Sequence, residues 1–379
     1  MKNQFSLFDL LMLIGITQGV ITSILLMVST KNSLSNRFLA FAILSFCLLS
    51  VKILLHTLGL WETTSFRYFP IGIELAIAPL VYFYVKSLTT PAFKFKWKDS
   101  LHFIPFILSQ TYAFFVYFKI SGIPALDHKD LVADSLGFYP IKKTEDYLVL
   151  LSIFGYLILG FLRLQKYRKW LNDNISDNTF PNFNWLTGIF VLSTVLGLFL
   201  FVNLSLDQLF DFNPVYSIHW EAYFIFIAFL IYYLGFVGYQ QPDFQMEEIE
   251  KTTIIPNPVK LSEEKAAQVI KGLEEALQKD KVFLNPKINS QELAKILEIS
   301  QSHLSYVVNR SFKKSFRDLI NDYRIEEVKS KLKDTKHQHK SILGIALECG
   351  FNSEASFYRI FKTNTGMTPK EYILQVNKN

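Results

Sequence analysis

The chain has 379 residues, 50% hydrophobic and 16% aromatic, which is rich for a soluble protein. Its two cysteines, Cys47 and Cys349, show no paired spacing that suggests a bridge or a zinc site, and both read as small buried hydrophobes. Charge is uneven: residues 1–240 hold 17 Lys+Arg against 14 Asp+Glu, whereas 280–379 hold 17 against 11. A basic C-terminal region of that size attracts nucleic acid or an anionic lipid surface, and only motifs separate the two.

From the N-terminus, seven apolar runs have about the length that crosses a bilayer core: 8–28, 38–58, 69–88, 101–119, 147–164, 185–206 and 218–239. The first lacks a basic leader beyond Lys2 and a small-residue cleavage site, so it is expected to stay as a helix rather than be removed. Pro105 sits in the first turn of the fourth, where helices tolerate it.

Lys and Arg in the connecting loops set the orientation, because they resist translocation. Lys31, Arg37, Lys86, Lys94, Lys96, Lys98, Arg163, Lys166, Arg168 and Lys169 fall on one side. The other side has Lys2, Arg67, Lys119, Lys129, Lys142 and Lys143. The bias places the N-terminus outside and everything beyond about residue 240 in the cytoplasm, a multi-pass protein of the cell's inner membrane. Four ionisable residues fall in or near the runs, Lys52, His56, Glu74 and His102, where such groups are expensive and commonly functional. Lys52 and Glu74 are expected to pair inside the membrane, as a structural ion pair or, alternatively, as part of a sensing site. The histidines at 56, 102, 128 and 219 form no HExxH or comparable constellation, so neither a catalytic nor a metal site is expected.

The segment 241–261, with Pro242, Pro256, Pro258 and an acidic cluster, reads as a linker. Beyond it, residues 262–379 read as one domain. Residues 262–279 carry a helical stripe of Ala266, Val269, Ile270, Leu273 and Leu277, capped by Ser262. That face is expected to pack on the following domain, with a dimerisation helix as the alternative.

Two helix-turn-helix units follow, at about 289–312 and 341–364. In the first, Asn289 and Glu292 have the spacing of a capping box, Leu293, Ala294 and Leu297 point inward, and Ser300 caps a second helix with Leu304, Val307, Val308 and Ser311 on one face. In the second, Ile342, Ile345, Ala346 and Cys349 precede a turn at Gly350, where positive φ suits glycine, and Phe357, Ile360 and Phe361 face inward. Residues 315–334 form a longer connecting helix with Leu319, Tyr323, Ile325 and Leu332 inward. Thr368, Pro369 and Glu371 open a closing helix.

The stretch IALECGFNSEASFYRIFKTNTGMTPKEYI, 345–373, together with ELAKILEISQSHLSYVVNRSFKKSFRDLINDYRIEEVKSKL, resembles the DNA-binding domain of AraC/XylS-type transcription regulators. The resemblance covers residues 283–374, about a quarter of the chain, and the rest is similar to membrane-anchored members. One departure is Glu298, where the family often has glycine or another small residue at the first turn.

Counting about 100° per residue from Leu304, the positions opposite the buried face are Ser302, Ser305, Tyr306 and Asn309. From Phe357 they are Ala355, Arg359 and Lys362, flanked by Ser356 and Tyr358. The resemblance implies base contacts from Ser302, Ser305, Tyr306, Ala355, Ser356 and Arg359. Arg310, Lys313, Lys314 and Lys362 are candidates for phosphate. The expectation is therefore an all-α chain: a seven-helix transmembrane domain (1–240), the linker, and a cytoplasmic double helix-turn-helix domain binding double-stranded promoter DNA. It implies no cofactor and no enzymatic activity. RNA polymerase and a second copy of the chain are open partners, and the alternative is a membrane sensor whose C-terminal domain docks a protein. The signal and the target genes are not legible, nor is release of the domain by proteolysis.

Overall fold

A computed structural model describes residues 5–30, 33–90, 93–176, 183–210, 218–240, 261–337 and 339–376. The expected linker, 241–261, lies outside these apart from Leu261. The described residues form fifteen α-helices and no strand, with one isolated bridge between Ile175 and Asn289. The chain divides into two compact units, residues 1–164 with 183–250, and residues 165–182 with 251–379.

The first unit contains α1 (Leu7–Val28), α2 (Ser33–Thr57), α3 (Glu74–Leu88), α4 (Ile104–Ile120), α5 (Leu126–Ser135), most of α6 (Phe138–Asn174), α7 (Asn184–Phe210) and α8 (Ile218–Tyr239). Among the described residues, six segments are long and apolar enough to cross a membrane. The third expected run is not among them, because its helix forms over only the 15 residues of α3. The fifth is longer than expected: it is helical from Phe138 to Asn174, since the polar residues flanking its apolar centre include no breaker after Pro140.

Small residues let the helices of this unit approach closely. A Cβ at Gly19 of α1 would meet Cys47 Sγ of α2 at 2.5 Å and Ile231 of α8 at 2.7 Å. The outward faces stay apolar; Ile14, Ile21 and Ile24 of α1 are each more than half exposed. At the turn into α1, Ser6 and Asp9 form a reciprocal capping box, and Thr57 at the end of α2 donates to Asp9 at 2.6 Å. In the connection between α2 and α3, Arg67 grips Asp130 of α5 through two hydrogen bonds of 2.9 and 2.7 Å, and Tyr68 donates to the same carboxylate at 2.9 Å. The Arg67 guanidinium holds the Asp130 carboxyl below the usual aspartate range.

The second unit contains α9 (Glu263–Gln278), α10 (Ser290–Ile296), α11 (Gln301–Ser311), α12 (Phe316–Lys333), α13 (Ile342–Glu348), α14 (Glu354–Thr365) and α15 (Pro369–Val376). Among the described residues they form two cores. Val269, Leu273 and Leu277 of α9 pack with Leu293, Leu304, Val308, Phe316 and Ile320, so the stripe on α9 is covered by the domain that follows it. Ile325 and Val328, further along α12, pack with Ile345, Ala346, Phe351, Phe357 and Phe361. One helix thus supplies wall residues to both cores.

Between the cores lies Arg324, which is 1% exposed. It donates to the carbonyls of Phe283 at 2.8 Å and Asn285 at 2.9 Å, and its guanidinium sits 6.0 Å from the Phe351 ring centre. A buried charge held by carbonyls and a ring is tolerated because its donors are satisfied.

The second unit also contains the end of α6 and the residues after it, a non-local element absent from the sequence-based reading. Asn174 accepts from Ser290 at 2.8 Å and from Gln301 at 2.7 Å. Ile175 bridges to Asn289, Ser176 donates to the Ile288 carbonyl, and buried Arg317 donates to the Ile175 carbonyl at 2.9 Å and to Asn172 at 3.2 Å.

Candidate nucleic-acid interface

Helices α10 and α11 form the first helix-turn-helix and α13 and α14 the second, each started by a side-chain cap. Asn289 accepts from Glu292 N at 2.9 Å, Ser300 from His303 N at 3.2 Å, Ser341 from Gly344 N at 3.0 Å and Ser353 from Ser356 N at 3.3 Å. The expected capping box at Asn289 is made only in its first half, because the Glu292 carboxylate accepts from Asn285 instead, at 3.3 Å. At α15 the box is complete, with Thr368 N donating to Glu371 at 2.7 Å and Glu371 N to Thr368 at 3.3 Å.

The two turns solve one geometric problem with different residues. Gly350 has φ +91°, and Glu298, at the equivalent turn, has φ +53°. The left-handed conformation that the family's small residue would take easily is adopted here by a glutamate, at some steric cost. The Gly350 position admits no such exchange: a Cβ would lie 2.5 Å from the Phe283 carbonyl oxygen and 2.8 Å from Arg324 Nε.

On α11, Leu304, Val307 and Val308 are buried, while Ser302 and Asn309 are exposed and Ser305 and Tyr306 half-buried. Ser311, expected on the inward face, is exposed instead. Asn309 donates to Ser305 at 3.2 Å, and Arg310 donates to the Tyr306 hydroxyl at 2.5 Å with its guanidinium 5.5 Å from that ring's centre. On α14, Phe357 and Phe361 are buried, Ala355, Arg359 and Lys362 are exposed, and Ser356 and Tyr358 are half-buried. The Arg359 guanidinium has no protein partner among the described residues. Lys313 is exposed at φ +54°. Lys314 donates to Asp322, and that bond raises its pKa. In this unit α11 and α14 therefore have one buried apolar side and one exposed polar side with cationic ends, the pattern that docks in a DNA groove.

In the first unit, Lys52 donates to Glu74 Oε1, so these two residues are brought together. His56 stacks on Trp61 with ring centres 4.2 Å apart, and His102 Nδ1 lies 2.7 Å from the Tyr156 hydroxyl. The sequence-based reading missed Asp146. It lines the same cavity as Lys52 and Glu74, but lies just before the apolar run read as 147–164. It also missed Arg317 and Arg324, which on an amphipathic helix look like solvated charges.

Residues 293–375 match the family model described as a helix-turn-helix domain. An uncharacterized HTH-type transcriptional regulator of Staphylococcus aureus strain MSSA476, and another of strain N315, are each 35% identical over 112 residues, which is 30% of this chain and 14% of theirs. The Melibiose operon regulatory protein of Escherichia coli strain K12 is 32% identical over 81 residues, 21% of this chain and 26% of that protein. The chain thus spans a small part of the length of the curated relatives it matches, and no solved structure matches it. The described helices and these likenesses together identify residues 293–375 as a helix-turn-helix domain similar to those of HTH-type transcriptional regulators.

Proposed function

We propose that the chain is a membrane-embedded regulator that binds promoter DNA sequence-specifically and couples that binding to a signal received by its membrane part. The observation that carries the reading is the pair of capped helices α11 and α14, each buried on one side and polar on the other, with the Arg359 guanidinium exposed and without a partner among the described residues. Ser302, Ser305, Tyr306, Ala355, Ser356 and Arg359 face base edges in this reading. Arg310, Lys313, Lys314 and Lys362 neutralise phosphates, Lys314 sharing its charge with Asp322. Two such helices joined through α12 suit successive major grooves, about 34 Å apart along one face of the duplex.

The first unit spans the inner membrane seven times, with α3 as the seventh crossing. Its 15 residues rise about 1.5 Å each, short of a hydrocarbon core of about 30 Å, and the stretch 69–73 makes up part of the difference. The loop Lys and Arg bias orients the bundle with the N-terminus outside and the DNA-binding domain in the cytoplasm. Helix α6 supports coupling, because one continuous helix contributes Asp146 to the membrane unit and Asn172 and Asn174 to the DNA-binding unit.

The test is selection from randomised duplexes on the full-length chain in lipid nanodiscs. Enrichment of a bipartite motif with half-sites about 10 base pairs apart is expected. A recovered pool indistinguishable from the input would remove the DNA-reading assignment and leave the protein-docking alternative.

A further inference from the structure

We propose that the first unit contains a binding site for a small amphiphile with a cationic head, a primary ammonium on an apolar body. The site is a cavity of about 290 Å³ lined by residues of α2, α3, α6, α7 and α8. That is near the lower end of small-molecule pockets, about 300 Å³. The inference deepens the proposed sensing role of this unit and rests on it.

Most of the wall is apolar, from Leu49 and Ile53 of α2 to Leu196 of α7, and takes hydrocarbon. The charged groups lining it are Lys52, Glu74 and Asp146. Lys52 lies near the C-terminal end of α2, Glu74 is the first residue of α3, and Trp220, also in the wall, is the third of α8. In helices that alternate in direction these positions share one end of the bundle, so the cavity has a polar pole and an apolar body.

The balance at that pole selects the head. Lys52 is already spent on Glu74 Oε1. The other Glu74 oxygen, Oε2, is sealed from solvent and has no hydrogen-bond partner among the described residues. Asp146 adds a second carboxylate with no hydrogen bond of its own among the described residues. One cation against two carboxylates leaves a net negative pole with unfilled acceptors, and a buried acceptor without a donor is costly. An ammonium supplies both donors and charge, and the rings of Trp220 and Tyr223 in the same wall suit a cation. A carboxylate or phosphate head would meet Asp146 with Lys52 already engaged.

The probe set is n-hexylamine, n-hexanol and hexanoate, titrated calorimetrically into the full-length chain in phosphatidylcholine nanodiscs, with empty nanodiscs subtracted. The expected result is one saturable amine site per chain, at least about tenfold tighter than the alcohol, with hexanoate weakest. Asp146→Asn is expected to bring amine affinity down to that of the alcohol while alcohol binding persists. Val149→Trp, which fills the cavity, is expected to remove all three. The proposal is overturned by equal amine and alcohol binding to the unaltered chain, by preference for hexanoate, by an absence of saturable amine binding, or by an undiminished amine preference in folded Asp146→Asn. Duplex selection on the same preparation separates the two claims: DNA enrichment without amine binding sinks the site alone.

Discussion

Arg317, on α12, donates from Nε to the main-chain carbonyl of Ile175 at 2.9 Å, across 142 residues of sequence, and is itself only 7% exposed. The residue after helix α6 is therefore held by the connecting helix of the second unit. Removing the guanidinium leaves the Ile175 carbonyl and the Asn172 amide oxygen without these donors. Arg317→Ala should destabilise the second unit by about 1–3 kcal/mol. It should also raise hydrogen exchange at residues 172–176 beyond that at α14, which a hydrogen-exchange comparison of the two full-length proteins would read.

Arg359 and Lys362 are both exposed on α14 but should fail differently when truncated. Arg359→Ala should cost about 1–3 kcal/mol on the preferred sequence and little on random duplex. Lys362→Ala should weaken both alike and lower the salt slope by about one. Binding titrations of each variant over a salt series distinguish them.

The two turns make a sign prediction. Gly350→Ala should destabilise the second core by at least about 1–3 kcal/mol, since the added Cβ has a carbonyl oxygen at 2.5 Å and φ is +91°. Glu298→Gly should be neutral or stabilising by up to about 1 kcal/mol, because it relieves a left-handed residue that bears a Cβ. Cys349 supplies the readout. It is fully buried, and burial pushes its thiol up to about 12, so alkylation near pH 8 should be negligible until that core opens. Gly350→Ala should speed labelling and Glu298→Gly should not.

Asp130 should give the first unit an acid limb of stability. Its folded pKa lies below the unfolded value, so the unfolded chain binds more protons as the medium acidifies. The contribution is fully present above the unfolded pKa of about 4 and is lost as pH falls through the folded value. Thermal unfolding in nanodiscs should show the wild type losing stability toward pH 3 more steeply than Asp130→Asn, the two curves converging at the acid end.

What was legible in the sequence was local. Caps at Ser262, Asn289, Ser300 and Thr368 could be read because a helix start depends on residues within one turn of each other. The buried faces Leu304–Val307–Val308 and Phe357–Phe361 followed from helical period alone. Asp146 was missed because hydropathy locates the apolar centre of a span and not the polar turns by which α6 extends past it. Arg317 and Arg324 were missed because their partners are main-chain carbonyls at residues 175, 283 and 285, which no periodicity near α12 reveals. The same non-locality hid the contribution of residues 172–176 to the DNA-binding unit.

The most direct measurement of the central claim is to cross-link DNA to the full-length protein in intact cells, purify membranes, and sequence the DNA that remains attached. A regulator working from the bilayer predicts a limited set of promoter sequences sharing one bipartite motif in the membrane fraction, lost with Arg359→Ala while the protein stays in the membrane. Membrane-bound protein that carries no DNA, or DNA whose sequence is indifferent to Arg359, would contradict it.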